Sequence, residues 1–353
     1  MKSMDHLRTY SLLLALLSDV WHNLVTLMRT LTYNVYSSLN VDMLPVEKII
    51  KERPDFRIER HWAETKDGMT LMLYRIHKKD FDAAKVVLLQ HGLVENSSTF
   101  MTCGNESITH RLVDQGYDVW LASNRASFYG QMTKTESGRV KPNKRIFEPS
   151  FWEYSMDELI HLDFPACFDY VLNETKVDKI NFVGQSQGCV QVMCSMCEMP
   201  QIRQGLKNIV LISPALLLQK YPSNIVIRSM MLIPDSLLGT REFLMFFIVL
   251  QQMLPTFLVG FLGYVAARLL GFLQCSPWSY SANKRWSTLF SGILFGCTSV
   301  KNIKHWVEVL RRGGAISKYG KTDLYQLDKL IDSWSDKCPN VMCILGDKDY
   351  VAD

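Results

Sequence analysis

Residues 180–188 read Ile-Asn-Phe-Val-Gly-Gln-Ser-Gln-Gly, and this stretch decides the fold. The apolar run 180–183 is typical of a short buried strand, and the pattern Gly184-x-Ser186-x-Gly188 predicts a sharp turn into a helix. Both glycines are needed because the turn strains the serine backbone and leaves no space for flanking side chains. We call residues 184–188 the elbow, and we expect it to present Ser186 as a nucleophile.

Further apolar runs of strand length lie on either side of the elbow. They cover residues 85–90, 117–122, 208–213 and 340–345, and a pair of longer strands with a turn at 66–68 is predicted over 56–76. Helical patterns separate several of these runs, over residues 107–114 and 156–172 for example. Alternating strands and helices predict an α/β fold with a mostly parallel sheet that is covered on both faces.

A second turn follows an early strand at Gln90-His91-Gly92-Leu93. We expect the Leu93 backbone N–H to act with the Gln187 backbone N–H as a pair of donors to a developing oxyanion. His91 is expected to shape this loop and not to act as a base. On the loop after the last strand, Asp349 is our choice for the acid that follows a nucleophile in chain order, and Asp347 is its competitor.

The chain divides into four predicted parts. They are an apolar N-terminal segment over 1–48, a core over 49–220, a helical insertion over 221–320 and a return to the core over 321–353. Within the insertion, residues 243–267 carry no charge and are long enough to cross a bilayer. A single crossing would separate the last strand from its sheet. The remaining choices are a buried cap, a re-entrant hairpin broken near Pro255 or a lid that lies on lipid, and we predict a cap or lid.

The N-terminal segment is open to several interpretations. Its apolar residues recur at helical spacing from Leu12 to Leu31, which suits a signal anchor, an interfacial amphipathic helix, a poor signal peptide or a helix packed on the core. Among these we favour some form of membrane attachment. A net charge of +4 without basic runs argues against a nucleic-acid partner. Nine irregularly spaced cysteines argue against a disulfide framework.

Several longer blocks resemble the acid lipase family, which comprises gastric and lysosomal acid lipases and fungal steryl ester hydrolases. The blocks are Gln-His-Gly-Leu at 90–93, Gly-Tyr-Asp-Val-Trp-Leu-Ala-Ser-Asn-Arg at 116–125, Phe-Trp-Glu-Tyr-Ser-Met-Asp-Glu at 151–158 and Thr-Ser-Val-Lys-Asn-Ile-Lys-His-Trp at 298–306. The resemblance runs from about residue 40 to the last residue. Gln185 departs from it, because the family usually has histidine before the serine.

The resemblance implies an α/β-hydrolase fold with an inserted helical cap. It implies a serine esterase that cleaves neutral lipid esters, either triacylglycerols or sterol esters, through an acyl-enzyme and without a metal or other cofactor. The expected partners are a lipid ester and a membrane or lipid-droplet surface. The expected location is membrane-associated or in the secretory pathway, with endoplasmic reticulum, lysosome and lipid droplet not distinguished.

The catalytic histidine of the family has no counterpart in this sequence. The eight histidines are at positions 6, 22, 61, 77, 91, 110, 161 and 305, and none follows Asp349. Three interpretations remain open: a truncated or incompletely recorded lipase that lacks the C-terminal part of the fold, a non-catalytic homologue that binds lipid or a membrane, or recruitment of another histidine such as His161 or His305. As written, the chain is expected to be inactive or nearly so.

Overall fold

The computed structural model describes residues 23–35, 44–82, 85–101, 104–218, 239–243, 296–335 and 338–346, together with single residues at 20, 38, 245 and 258. The strands in this part of the chain are β1 (Phe56–Glu64), β2 (Thr70–Lys78), β3 (Val86–Gln90), β4 (Asp118–Ala122), β5 (Met132–Lys134), β6 (Val140–Pro142), β7 (Ile180–Gln185), β8 (Leu206–Ile212), β9 (Glu242–Phe243), β10 (Thr298–Ser299) and β11 (Asn340–Ile344).

The α-helices described are α1 (23–35), α2 (Pro45–Ile50), α3 (Ile108–Asp114), α4 (Met156–Glu158), α5 (Phe164–Thr175), α6 (Gln187–Glu198), α7 (Pro200–Gln204), α8 (Val300–Arg311) and α9 (Leu327–Asp332). A π-helical turn, Leu159–Asp163, joins α4 to α5. Single 3₁₀ turns cover Ser97–Met101, Gly104–Glu106, Lys144–Phe147 and Pro149–Trp152.

A seven-stranded sheet organises the described residues, in the order β1-β2-β4-β3-β7-β8-β11. β1 and β2 form an antiparallel hairpin whose turn contains Gly68 with φ +75°, and β2 pairs antiparallel with β4. All pairings from β4 to β11 are parallel. The predicted strands and the mostly parallel sheet are therefore confirmed, as are the helices predicted over 107–114 and 156–172.

The central strands are buried along their whole length. Every residue of β3 and β4 is buried, because helices cover both faces of the parallel part of the sheet. A strand that is buried on both faces needs apolar residues at every position and not at alternate ones. This explains the continuous apolar runs in the sequence. The carboxyl ends of β3 and β7 are neighbours in register, with Gln90 opposite Gly184. This pairing brings the two predicted turns to one edge of the sheet.

Little of the predicted insertion over 221–320 lies among the described residues. Its described parts are residues 239–243 and 296–320 with single residues at 245 and 258, and they contain the short β9–β10 pair and α8, which follows β10 directly. The uncharged segment 243–267 falls almost entirely outside the description, so the lid remains a prediction, and so do the proposed domain boundaries. Among the residues described, no helix combines the length and the apolar character needed to cross a membrane.

Among the described residues, one edge of the sheet is apolar and has no further strand beside it. β11 has a neighbouring strand on the β8 side only, among the described residues, and all five of its residues are exposed. Met342 is 61% exposed and Ile344 is 49% exposed. An unpaired edge with apolar side chains is a template for pairing with another chain.

We expect Met342→Lys to reduce concentration-dependent self-association of the chain, because a charge on an open edge opposes strand addition. The melting temperature should stay unchanged because the side chain is exposed. Sedimentation velocity over a concentration series checks this. Leu324→Lys adds the same charge at an exposed site outside the sheet and serves as the control. Equal association of the two variants would contradict the expectation.

Candidate active site

The backbone of Ser186 is strained at the tip of the elbow. Its φ is 49° and its ψ is −113°, a conformation that L-residues rarely adopt. Two hydrogen bonds hold it: the Ser186 N–H donates to the Ile212 carbonyl of β8 at 2.9 Å, and the Ser186 carbonyl accepts from the Cys189 N–H at 3.0 Å. Ser186 is only partly buried and lies between the end of β7 and the start of α6.

Both elbow glycines are required by close contacts. A Cβ on Gly188 would lie 2.4 Å from the Gln90 carbonyl oxygen and 2.9 Å from that of His91. A Cβ on Gly184 would lie 2.8 Å from the Phe182 ring. At these distances neighbouring backbone would have to move. Gly188 therefore allows α6 to begin directly against the turn that follows β3.

His91 lies buried inside that turn. Its Nδ1 is 2.9 Å from the Gly92 carbonyl oxygen, and its Nε2 accepts from the Asn124 backbone N–H at 3.1 Å. This pairing requires the proton on Nδ1, which then donates to Gly92. Burial lowers the pKa of His91 to about 4, so the ring is neutral at physiological pH. The structure thus gives His91 contacts that fix the loop and none with Ser186.

The two expected oxyanion donors lie on adjacent turns. Gln187 is the first residue of α6, and Leu93 follows Gly92, which lies close to the nucleophile. A Cβ on Gly92 would lie 3.2 Å from the Ser186 Cβ. Backbone N–H groups at a helix start have no partner within the helix and are free to bind an anion. The structure brings together Ser186, Gly92 and the residues expected to carry the donors.

The Gln187 side chain is held by helix α8. Its Oε1 accepts hydrogen bonds from Trp306 Nε1 at 2.7 Å and from Asn302 Nδ2 at 3.1 Å. Asn302 also donates to Thr298 Oγ1 at 3.0 Å. Residues 298–306, which are distant from the elbow in the sequence, thus hold the side chain of the residue after the nucleophile. In the sequence this segment stands out only by its resemblance to the family, and the i, i+4 spacing of Asn302 and Trp306 is its one local signal.

A carboxyl group that no sequence pattern indicates lies beside the nucleophile. Glu95 Oε2 accepts from the Gly92 backbone N–H at 2.9 Å, and Glu95 Oε1 accepts from Gln185 Nε2 at 3.1 Å. Part of the residue reaches solvent, but protein atoms surround its carboxyl group, and this burial raises the pKa of Glu95 to about 7. No sequence motif signals this contact, because residues 95 and 185 come from different turns.

Six of the eight histidines lie among the described residues, and each is engaged away from Ser186. His161 Nε2 pairs with Glu198 at 2.6 Å, and the buried His305 Nε2 donates to the Ser317 carbonyl at 2.6 Å. The other four also have partners elsewhere. His61 contacts Tyr170 and Glu59, and His77 contacts Lys78 and Phe81. His91 contacts Gly92 and Asn124, and His110 contacts Ser107 and Phe56. Recruitment of His161 or His305 as the base finds no support in these contacts.

The predicted acid lies outside the described residues, as does its competitor. The structure describes β11 and the chain to Gly346, immediately before Asp347, and Asp349 follows shortly after. β11 is the strand next to β8, whose Ile212 binds the Ser186 N–H. Within the part of the chain that is described, no group of three or more His, Cys, Asp or Glu side chains has the arrangement to hold a metal ion.

Comparison with known sequences defines the class of protein. Residues 85–290 match the family described as alpha/beta hydrolase fold, and residues 46–104 match the partial alpha/beta-hydrolase lipase region. The first match covers more than half of the chain. The chain therefore belongs to the α/β-hydrolase fold family, and its residues 46–104 are similar to the lipase region of that fold.

Individual relatives agree with this assignment. Human lipase member M is 30% identical over 282 residues, which cover 76% of this chain and 63% of the relative. Lipase 1 of Drosophila melanogaster is 34% identical over 200 residues, which cover 56% of this chain and 42% of the relative. Human lysosomal acid lipase/cholesteryl ester hydrolase is 27% identical over 266 residues, covering 72% of this chain and 64% of the relative. The chain thus spans less than two thirds of each relative's length.

We expect Ser186→Gly to raise the free energy of unfolding by about 1–2 kcal/mol relative to Ser186→Ala, because glycine adopts the elbow conformation without strain. Both variants lose the hydroxyl, so their difference isolates the backbone. Chemical denaturation measures it. Lys176→Gly, at the left-handed end of α5 with φ 58°, gives a reference for strain relief away from the site. Equal stability of the two Ser186 variants would show that the elbow stores no strain.

Proposed function

We propose that this chain is a serine carboxylic-ester hydrolase whose substrates are neutral lipid esters, with Ser186 as the nucleophile. The observation that carries the proposal is the strained Ser186 at the start of α6, in contact with the Gly92 turn. A residue is held in such a conformation only where surrounding structure enforces it, and strain of this kind clusters at active sites.

In the proposed reaction, Ser186 Oγ attacks the ester carbonyl carbon, and its proton passes to a base. The carbonyl oxygen becomes an oxyanion, which accepts hydrogen bonds from the Leu93 and Gln187 backbone N–H groups. Collapse releases the alcohol, which takes the proton, and leaves an acyl group on Ser186. Water then attacks the acyl carbon, its proton passes through the base to Ser186 Oγ, and the fatty acid is released. Loss of one oxyanion donor costs about 3 kcal/mol of transition-state stabilisation in comparable hydrolases.

The base and acid of this mechanism are proposed from the family. A lipase triad places a histidine between the nucleophile and an acid, for which Asp349 is the proposed residue. None of the six described histidines is proposed as this base, because the contacts of each lie away from Ser186. The substrate class comes from relatives whose names specify lipase and cholesteryl ester hydrolase activity. Triacylglycerols and sterol esters are both compatible with it.

A fluorophosphonate probe tests the nucleophile directly. Where the triad base of the family activates Ser186, we expect covalent labelling at this residue, located by mass spectrometry, and its loss in Ser186→Ala but not in Ser137→Ala, which removes an exposed hydroxyl on a surface turn. Without an activating base, the rate should fall by roughly a million-fold. Release of fatty acid from triolein and cholesteryl oleate emulsions then distinguishes the two substrates. Labelling at another residue, with Ser186→Ala unaffected, would refute the proposal.

A second candidate is a non-catalytic homologue that binds lipid. The observation that favours it is the engagement of all six described histidines away from Ser186. This candidate predicts that the wild-type chain and Ser186→Ala bind lipid equally and that neither reacts with the probe. The labelling experiment therefore separates the two candidates.

Helix α1 carries an apolar stripe that suits a lipid surface. Leu24, Leu27 and Leu31 lie at helical spacing and are exposed, Leu27 by 56%. The other side of the helix faces the protein, where Arg29 pairs with Glu242 and Tyr33 donates to Glu242 Oε2 at 3.1 Å. We propose that α1 lies in the membrane interface with its leucines in the lipid. The charged anchor on the opposite side fixes this orientation.

We expect the triple substitution Leu24→Ser, Leu27→Ser and Leu31→Ser to lower binding to phosphatidylcholine vesicles by ~100-fold or more, because each leucine contributes roughly 1.5–3 kcal/mol when buried in an apolar phase. Vesicle flotation measures the bound fraction. The control changes the exposed polar positions Asn23, Thr26 and Thr30 to serine. Unchanged binding of the leucine variant would exclude α1 as the contact.

A further inference from the structure

Glu95 bridges the two turns that form the site. One carboxyl oxygen accepts from the Gly92 N–H of the turn after β3, and the other accepts from the Gln185 side chain of the elbow. The carboxyl also lies beside the nucleophile: a Cβ on Gly92 would be 3.0 Å from Glu95 Oε2 and 3.2 Å from Ser186 Cβ. Both groups therefore lie against the same side of Gly92.

The backbone around Glu95 is fixed by the segment before β10. Val94 has φ 50°, which is strained for a β-branched residue, and its carbonyl accepts from the Gly296 N–H at 2.8 Å. A Cβ on Gly296 would lie 2.1 Å from the Glu95 carbonyl oxygen, so only glycine permits this approach. Contacts from three separate segments thus hold the carboxyl in place.

The charge on Glu95 has no opposite charge to offset it among the described residues. Burial raises its pKa, and the Gly92 N–H lowers it by a smaller amount. The neighbouring elements carry the ionisable groups His91, Cys189 and Cys297, which burial keeps neutral near pH 7 by lowering the pKa of His91 and raising the pKa of both thiols. Arg125, after β4, is paired with Asp163 and Asp67.

We propose that Glu95 is a positioning residue that clamps the oxyanion turn to the elbow, and that its ionisation opposes the reaction of Ser186. The inference rests on the proposed role of Ser186 as nucleophile. The hydrogen bond to Gly92 orients the Gly92–Leu93 segment, from which one oxyanion donor comes. The neutral carboxyl makes this bond without cost to the reaction. The ionised carboxylate adds a negative charge beside the position at which the oxyanion forms.

The sign of the pH effect follows from the direction of the pKa shift. Below about pH 7 the Glu95 carboxyl is protonated and the site carries no added charge. As the pH rises through that value, the carboxylate forms and slows attack by Ser186. A variant with a permanently neutral side chain of the same shape escapes this inhibition.

The test measures fluorophosphonate labelling rates of the wild-type chain and Glu95→Gln between about pH 5 and pH 9. The ratio of the Glu95→Gln rate to the wild-type rate cancels other titrating groups. We expect a ratio near one at low pH, rising to about tenfold at high pH with its midpoint near pH 7. Glu95→Ala, which loses the clamp, should be slower than wild type at low pH.

Asp169→Asn is the control, because partial burial also raises the pKa of this carboxyl, although the residue is exposed on α5, away from the elbow. Its ratio should stay near one at every pH. A Glu95→Gln ratio that falls as pH rises would make Glu95 a base and overturn the proposal. A ratio independent of pH would reduce Glu95 to a structural contact and overturn it equally.

Thermal unfolding gives a second measurement that does not depend on catalysis. A carboxyl whose pKa is raised by folding destabilises the protein as pH rises from its unfolded value to about 7. The melting temperature of Glu95→Gln relative to wild type should therefore increase over that interval and then level off. If no variant labels, the nucleophile proposal has failed, and a flat melting-temperature difference would separately overturn the buried ionisation of Glu95.

Discussion

The carbonyl oxygens of Gln90 and His91 lie so close to Gly188 that a Cβ there would be 2.4 Å from the nearer one. This contact allows α6 to begin against the turn after β3, and the register of β3 with β7 brings that turn level with the elbow. Because α6 begins there, the backbone N–H groups of its first turn lie next to Ser186. The arrangement of nucleophile and donors depends on this one approach.

Buried hydrogen bonds keep the turns from relaxing away from each other. Asn124 is central to them: its N–H donates to His91, and its side-chain oxygen accepts from both Gln90 and Gln191 at 2.9 Å. Gln90 and His91 belong to the first turn, and Gln191 to α6. A buried polar group left without its partner costs about 1–3 kcal/mol, so displacement of either turn is penalised at several atoms at once. The strain at Ser186 and Val94 is sustained by such contacts.

The described surface has two apolar regions with different physical character. α1 presents isolated leucines on a helix that a charged contact holds to Glu242, an arrangement that suits an interface between water and lipid. β11 presents apolar side chains together with unpaired backbone groups, and these favour another strand. Lipid cannot satisfy backbone hydrogen bonds, whereas a strand can. The two regions therefore suit different partners, a lipid surface for α1 and another strand for β11.

The sequence by itself determined the strands, their mostly parallel arrangement and the elbow, because each depends on residues within a few positions of one another. The run 180–183 followed by Gly184-x-Ser186-x-Gly188 carries its own strand, turn and helix signals. Only the tertiary structure decided that Glu95 contacts Gln185, that Trp306 holds Gln187 and that the described histidines are engaged elsewhere. These contacts join residues far apart in the chain, and local patterns carry no information on such distances. Burial, which gives Glu95 its altered pKa, likewise exists only once the chain has folded.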